Sequence, residues 1–217
     1  MPGKQERGIT GLILVGGKSR RMGVDKALLE IAGQPLIERV IELFSACFDR
    51  TLLAGDQGQR FAGYGLPIVS DLYPGSPLGG IYTGLAAAGT EHVFVASCDL
   101  PFPSPAILHH LCSLKDGFDA VVPLAARGYE PLFALYSKRC LGPIKALLDS
   151  GDCCAYAYFP EIQARYVLPG ELAELDREGL AFFNVNTPED LERAAKRLAD
   201  TGGSRTSPPT TPSEGSN

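Results

Sequence analysis

The stretch Ile9-Thr-Gly-Leu-Ile-Leu-Val-Gly-Gly-Lys-Ser-Arg-Arg-Met-Gly-Val-Asp-Lys26 joins a short apolar run to a glycine pair and a dense set of cations. Residues 9–15 read as a buried strand, because the run is continuous, short and closed by glycine. Gly16 and Gly17 follow it directly, where the missing Cβ atoms let backbone N–H groups approach a polyphosphate. Lys18, Arg20, Arg21 and Lys26 place four cations within nine residues. Phosphoryl chemistry needs that, since charge on the transferring group must be neutralised. Gly17-Lys18-Ser19 imitates the end of a P-loop, but that motif requires glycine where Leu12 stands, so an ATPase of that class is excluded.

Working outward, residues 35–48 carry apolar side chains at 36, 37, 40, 41, 43, 44 and 47, the pattern of an amphipathic helix. Further strands are expected at 51–54, 66–69, 92–97, 120–123 and 132–136. Helices are expected at 79–88, 104–114 (with Ser104 as N-cap), 138–149 and 188–199. Strands alternating with helices imply an α/β fold, a mostly parallel sheet with helices on both faces. Ligands of such sheets bind beyond the carboxyl ends of the strands. Residues just after Val15, Val69 and Ser97 should therefore line one crevice.

The chain has 217 residues, 45% of them hydrophobic and 21% charged, ordinary for one globular domain. Residues 1–200 are assigned to that domain. Residues 201–217, almost all Gly, Ser, Thr and Pro, are expected to be a disordered tail. A net charge of −5 disfavours nucleic acid and anionic membranes as partners. No secretory leader is expected ahead of the first strand, and no apolar run approaches the roughly 20 residues a membrane helix needs. The six cysteines contain no CxxC, and the three histidines lack metal-ligand spacing. A reduced cytoplasmic location is the simplest expectation. The vicinal pair Cys153-Cys154 reads as packing rather than chemistry.

Four later motifs carry polar groups toward the expected crevice. Asp71, in Ser70-Asp71-Leu-Tyr-Pro-Gly-Ser-Pro-Leu-Gly-Gly80, falls just past a strand and is either a nucleotide-facing group or a turn residue. Asp99, in Val95-Ala-Ser-Cys-Asp99-Leu-Pro101, ends a central strand and is the natural hard-oxygen ligand for Mg²⁺. In Phe183-Asn184-Val-Asn186-Thr-Pro-Glu189-Asp190-Leu191, Thr187 and Pro188 start a helix with acids in its first turn. Asn184 and Asn186 are not explained by capping and would point to one side of an extended segment, suiting a phosphate or a second metal position. Glu130, before Pro131, is either a surface acid or an acceptor-site residue.

Together, Leu14-x-Gly-Gly-x-Ser-x-Arg-Met-Gly-x-Asp-Lys26, Asp71, Pro77-Leu78-x-Gly80, Cys98-Asp99-x-Pro101, Glu130-Pro131-Leu132 and Asn184-x-Asn186-Thr-Pro-Glu-Asp-Leu191 resemble the molybdenum cofactor guanylyltransferases, in order across residues 9–198. The resemblance implies a Rossmann-like nucleotidyltransferase fold and transfer of GMP from GTP to Mo-molybdopterin, with Mg²⁺ and release of pyrophosphate. It implies that Leu14, Val15, Gly16, Gly17, Lys26, Asp71 and Asp99 bind the nucleotide, with Asp99 also holding the metal. Arg21, Lys26 and Asp99 become the expected catalytic groups. Asn184 and Asn186, with Glu130 as a further candidate, fall to the acceptor side. Protein partners implied are cofactor-receiving molybdoenzymes or their chaperones. The chain departs from the pattern at Leu53-Ala54-Gly55-Asp56, where the family often has asparagine near the base. The rival functions are a molybdopterin cytidylyltransferase or a sugar-1-phosphate nucleotidyltransferase, which tend to carry Ala-Gly in the first loop. A non-catalytic GTP-binding carrier is the rival of another class.

Overall fold

The computed structural model describes residues 5–15, 26–55, 58–125 and 128–202. Strand β1, Ile9–Leu14, is buried at all six positions and lies at the centre of the sheet. Its side chains alternate between two cores: Ile9 and Ile13 face one, Leu12 and Leu14 the other. A hairpin, β2 (Glu30–Ile31) and β3 (Gln34–Pro35), turns through Ala32 and Gly33, both at positive φ, the backbone that suits a two-residue hairpin turn. It precedes helix α1, Leu36–Cys47, which buries Leu36, Ile37, Val40, Phe44 and Cys47.

The chain continues through β4 (Arg50–Ala54), β5 (Ile68–Val69), α2 (Pro77–Ala87), β6 (His92–Ser97), α3 (Pro105–Ser113), β7 (Ala120–Ala125), β8 (Gly128–Tyr129) and β9 (Phe133–Ser137). It closes with α4 (Leu141–Ser150), β10 (Ala164–Val167), the single turn α5 (Pro169–Leu172) and α6 (Pro188–Gly202). The sheet order is β10-β7-β9-β6-β1-β4-β5, with β8 paired to β7. Strands β5, β4, β1 and β6 run parallel, as does β10 beside β7. Strand β9 is antiparallel to both of its neighbours. The expected alternation of strand and helix fails here for a physical reason. Residues 126–132 alone separate β7 from β9, and a parallel crossover needs about a dozen or more.

Helices α1 and α3 cover one face, where Phe94 packs edge-on against Phe44 at 5.8 Å and Phe133 at 5.1 Å between centroids. Helices α2 and α4 cover the other, around Leu12, Leu85, Val95 and Tyr136. Helix α2 starts earlier than its sequence pattern suggested, because the Ser76 hydroxyl accepts the Gly79 N–H at 3.1 Å and Pro77 follows it. The Ser104 cap on α3 forms as expected, accepting from Ile107 N–H at 3.3 Å. Helix α6 runs to Gly202, past the domain boundary expected at residue 200, while tail residues 203–217 lie outside the described residues. Cys153 is exposed and Cys154 half-buried, so that pair does not pack in the core. Among the described residues, no helix is long and apolar enough to cross a membrane.

Helix α2 reaches β1 through a glycine. A Cβ on Gly84 would stand 2.0 Å from Leu12 Cδ2, a side chain with no solvent exposure. Gly84→Ala is expected to lower stability by roughly 1–3 kcal/mol, the usual cost of overpacking. Gly142→Ala on α4, where a Cβ meets nothing within 4 Å, should be neutral or stabilising. Urea unfolding midpoints of the two variants check this, and equal midpoints would contradict it.

Candidate active site

The ends of four parallel strands meet in register. Leu14 pairs with Ala54 on one side and Ser97 on the other, and Ala54 pairs with Val69. The register continues one residue further, since Val15 N–H donates to Ala54 C=O at 2.9 Å and Gly55 N–H to Val69 C=O at 3.2 Å. Residues leaving these ends therefore share one edge of the sheet, which is why Leu14, Val15, Asp71 and Asp99 come together as expected. Gly16, Gly17 and Arg21 lie outside the described residues.

The Asp71 loop is fixed from below by close approach and by hydrogen bonds. A Cβ on Gly80 would meet Leu14 Cδ2 at 3.0 Å and Asp71 Oδ1 at 3.7 Å. This glycine brings the carboxylate of Asp71 against the end of β1. At Gly79 the approach is tighter still, with the Tyr73 carbonyl oxygen 1.9 Å from any Cβ built there. Leu72 N–H donates to the Thr83 hydroxyl at 2.9 Å, and the Tyr73 hydroxyl donates to Asp149 on α4 at 2.9 Å. The glycine pair 79–80 thus lets helix α2 press its first turn onto the loop, a function the linear pattern showed only as the start of a helix.

Asp99 leaves β6 half-buried. Its Oδ1 is buried and has no hydrogen-bond partner among the described residues. Its Oδ2 faces Lys26 Nζ at 3.7 Å, and the same Nζ donates to Asn186 Oδ1 at 2.7 Å. Both side chains of the ion pair are mostly covered, 22% exposed for Lys26 and 17% for Asp99. The segment carrying the two asparagines is tied to the same place, because Val185 N–H donates to the Asp99 carbonyl at 3.1 Å. The Ser97 hydroxyl donates to Asn184 Oδ1 at 3.5 Å, and Asn184 Nδ2 to Phe182 C=O at 3.3 Å. Asp190 accepts the N–H groups of Asn186 and Thr187, each at 3.1 Å, and Thr187 Oγ1 accepts from Asp190 N–H at 3.2 Å. Thr187 and Asp190 are thus occupied with capping α6, which leaves the asparagines to do something else.

Glu130 sits in the turn that leads into β9. Because β9 is antiparallel, its N-terminal end lies at the carboxyl end of β6, where Ser97 N–H donates to Leu132 C=O at 2.9 Å. Glu130 and Asn184 line one cleft of about 840 Å³ with Phe102, Leu172, Phe183 and Arg193. The Arg193 guanidinium stacks over the Phe183 ring at 5.1 Å. Lys26, Asp71, Asp99 and Asn186 are not among the residues lining the cleft, so the site has two parts that meet at Ser97 and Asn184. The role of Ser97 and the contribution of α6 were not read from the sequence. Ser97 carried no signal beyond ending a strand, and α6 showed only a capped helix start and helical periodicity. Among the described residues, no group of three or more His, Cys, Asp or Glu side chains could hold a metal. Asp99 with its orphaned oxygen suits an ion that takes one or two carboxylates and fills its remaining positions with phosphate oxygens and water.

Residues 11–161 match the model of the MobA-like NTP transferase domain. A protein of Pelotomaculum thermopropionicum named "Probable molybdenum cofactor guanylyltransferase" is 38% identical over 186 residues, covering 85% of this chain and 91% of its own. The molybdenum cofactor guanylyltransferase of Desulfosudis oleivorans is 35% identical over 190 residues, 86% of this chain and 94% of its own. A crystal structure of molybdopterin-guanine dinucleotide biosynthesis protein A from Archaeoglobus fulgidus superposes with a TM-score of 0.78 at 29% identity, covering 88% of this chain and 99% of that one. With Leu14, Val15, Asp71 and Asp99 gathered at the strand ends and the relatives matched over nearly their full length, the chain belongs to the molybdenum cofactor guanylyltransferases, nucleotidyltransferases built on the MobA-like NTP transferase domain.

Proposed function

We propose that this protein transfers GMP from GTP to the terminal phosphate of Mo-molybdopterin, forming molybdopterin guanine dinucleotide and pyrophosphate. The observation that carries this reading is the junction at Lys26, whose ammonium group touches Asp99 on the nucleotide side and Asn186 on the acceptor side. An acceptor phosphate oxygen attacks the α-phosphorus of GTP in line with the departing pyrophosphate. That nucleophile is already anionic, so the residues need supply no general base. Their work is positioning and charge stabilisation.

Lys26 offsets negative charge where donor and acceptor meet, and Arg21 is assigned the same task on the triphosphate. Leu14, Val15, Gly16, Gly17 and Asp71 form the nucleotide side, while Asn184, Asn186 and Glu130 orient the acceptor. Asp99 would hold Mg²⁺, which when bound supplies Lewis-acid stabilisation of phosphate charge. The buried, unpartnered Oδ1 of Asp99 supports that assignment.

Asp99→Asn keeps the shape and removes the charge. Turnover should fall roughly 10²–10³-fold, the scale of one lost electrostatic stabiliser, while the melting temperature holds. Near-normal turnover at saturating Mg²⁺ would exclude Asp99 as the metal ligand.

Base choice follows from hydrogen bonding. Guanine presents N1–H and the exocyclic amine side by side, a donor pair that a carboxylate or backbone carbonyls can accept; adenine lacks it. Asp71, close to Gly80, and carbonyls of the first loop are the candidate acceptors. A mispaired base leaves such groups unsatisfied, at about 1–3 kcal/mol per buried group. GTP should therefore outcompete CTP and ATP by roughly tenfold or more in pyrophosphate release on Mo-molybdopterin, and hexose phosphates should not replace the acceptor. Preference for CTP would move the chain to the cytidylyltransferases.

A further inference from the structure

We propose that Tyr136 is a positioning residue for the acceptor: its buried hydroxyl holds the Glu130-Pro131 turn so that Glu130 faces the cleft it shares with Asn184. The inference rests on the acceptor-side role given to Glu130 above.

Tyr136 lies on β9 with no solvent exposure, in the core on the α2 and α4 face. Its hydroxyl donates to the Pro131 carbonyl at 2.8 Å. Burial pushes the phenol far above its usual range, so the group keeps its proton and remains a donor. Three consecutive carbonyls of the turn each accept a hydrogen bond: Glu130 from Phe133 N–H at 3.3 Å, Pro131 from Tyr136, and Leu132 from Ser97 N–H at 2.9 Å. Glu130 N–H donates in turn to Pro123 C=O at 2.9 Å. Proline at 131 also restricts Glu130 to extended backbone.

Of the three carbonyl anchors, the one from Tyr136 is the only side-chain donor, and it reaches the turn from the core. Tyr136 and Tyr158 are both fully buried in one core cluster, so bulk solvent does not reach the Pro131 carbonyl from that side. Ser97, which holds Leu132 by its N–H, holds Asn184 by its hydroxyl. Glu130 and Asn184 therefore hang from one strip of backbone, and loosening the Pro131 anchor moves one wall of the acceptor cleft. The Asp71 loop has its own separate anchors on Thr83 and Asp149, so the nucleotide side is spared.

The test is Tyr136→Phe, which keeps the ring and removes the hydroxyl that donates to Pro131 and meets the Tyr158 hydroxyl. The KM for Mo-molybdopterin should rise roughly three- to tenfold, with the KM for GTP unchanged. In a Tyr136→Phe/Glu130→Gln double variant, the acceptor KM should be no higher than in Glu130→Gln alone. Amide hydrogen exchange should quicken across residues 128–135 in Tyr136→Phe and stay unchanged in β6. A parallel rise in both KM values, or additive effects in the double variant, would make Tyr136 a merely structural residue. Unchanged exchange at 128–135 would remove the anchor altogether. If the wild-type protein releases no pyrophosphate with Mo-molybdopterin, the functional reading fails instead, and the exchange measurement alone decides whether Tyr136 holds the turn.

Discussion

The site depends on one ammonium group placed between two parts of the chain far apart in sequence. Lys26 Nζ reaches Asn186 at 2.7 Å and Asp99 at 3.7 Å. A partly exposed ion pair of this kind contributes on the order of 1 kcal/mol or less to stability. Its importance is therefore alignment. Asp99 is set by the end of β6, and Asn186 by the Val185 N–H on the Asp99 carbonyl and by the cap that Asp190 makes. With Val185 buried beside Leu36 and Ala194, the segment of Asn184 and Asn186 cannot shift without pulling on the strand end that carries Asp99.

Much of this arrangement was legible in the sequence, for reasons that can be named. Residues 9–14 and 92–97 are continuous apolar runs stopped by glycine or by Cys98-Asp99, and a strand buried on both faces has that signature. The sheet rule then placed Leu14, Val15, Asp71 and Asp99 on one edge. Asn184 and Asn186 stood out because capping accounted for Thr187 and Asp190 and left the asparagines over, and the structure ties them to Ser97 and Lys26 respectively.

What stayed hidden depends on contacts between segments remote in sequence. The antiparallel course of β9 is a matter of strand order, and only the shortness of residues 126–132 hinted at it. Strand β10 is an edge strand with three of its four residues half-buried, and it carries little alternation. The cleft beside Glu130 forms where the turn before β9, the segment 169–184 and α6 converge, three pieces with no shared motif. Gly79 read as the start of a helix, and its need to admit the Tyr73 carbonyl appears only once the loop is folded back.

A net charge of −5 makes the local cations more telling. In an acidic chain, the four cations Lys18, Arg20, Arg21 and Lys26 within nine residues of sequence point to local binding of a polyanion rather than a general attraction for anions. Asp99 Oδ1, buried and without a hydrogen-bond partner among the described residues, beside a lysine that also reaches Asn186, favours the proposed group transfer over simple GTP binding. Group transfer and simple binding differ in what leaves the enzyme, so the decisive measurement is product stoichiometry. Incubated with GTP, Mg²⁺ and Mo-molybdopterin, the protein should release pyrophosphate and molybdopterin guanine dinucleotide in equal amounts, with neither formed when the acceptor is omitted. GTP binding without pyrophosphate, or pyrophosphate released with no dinucleotide, would contradict the account.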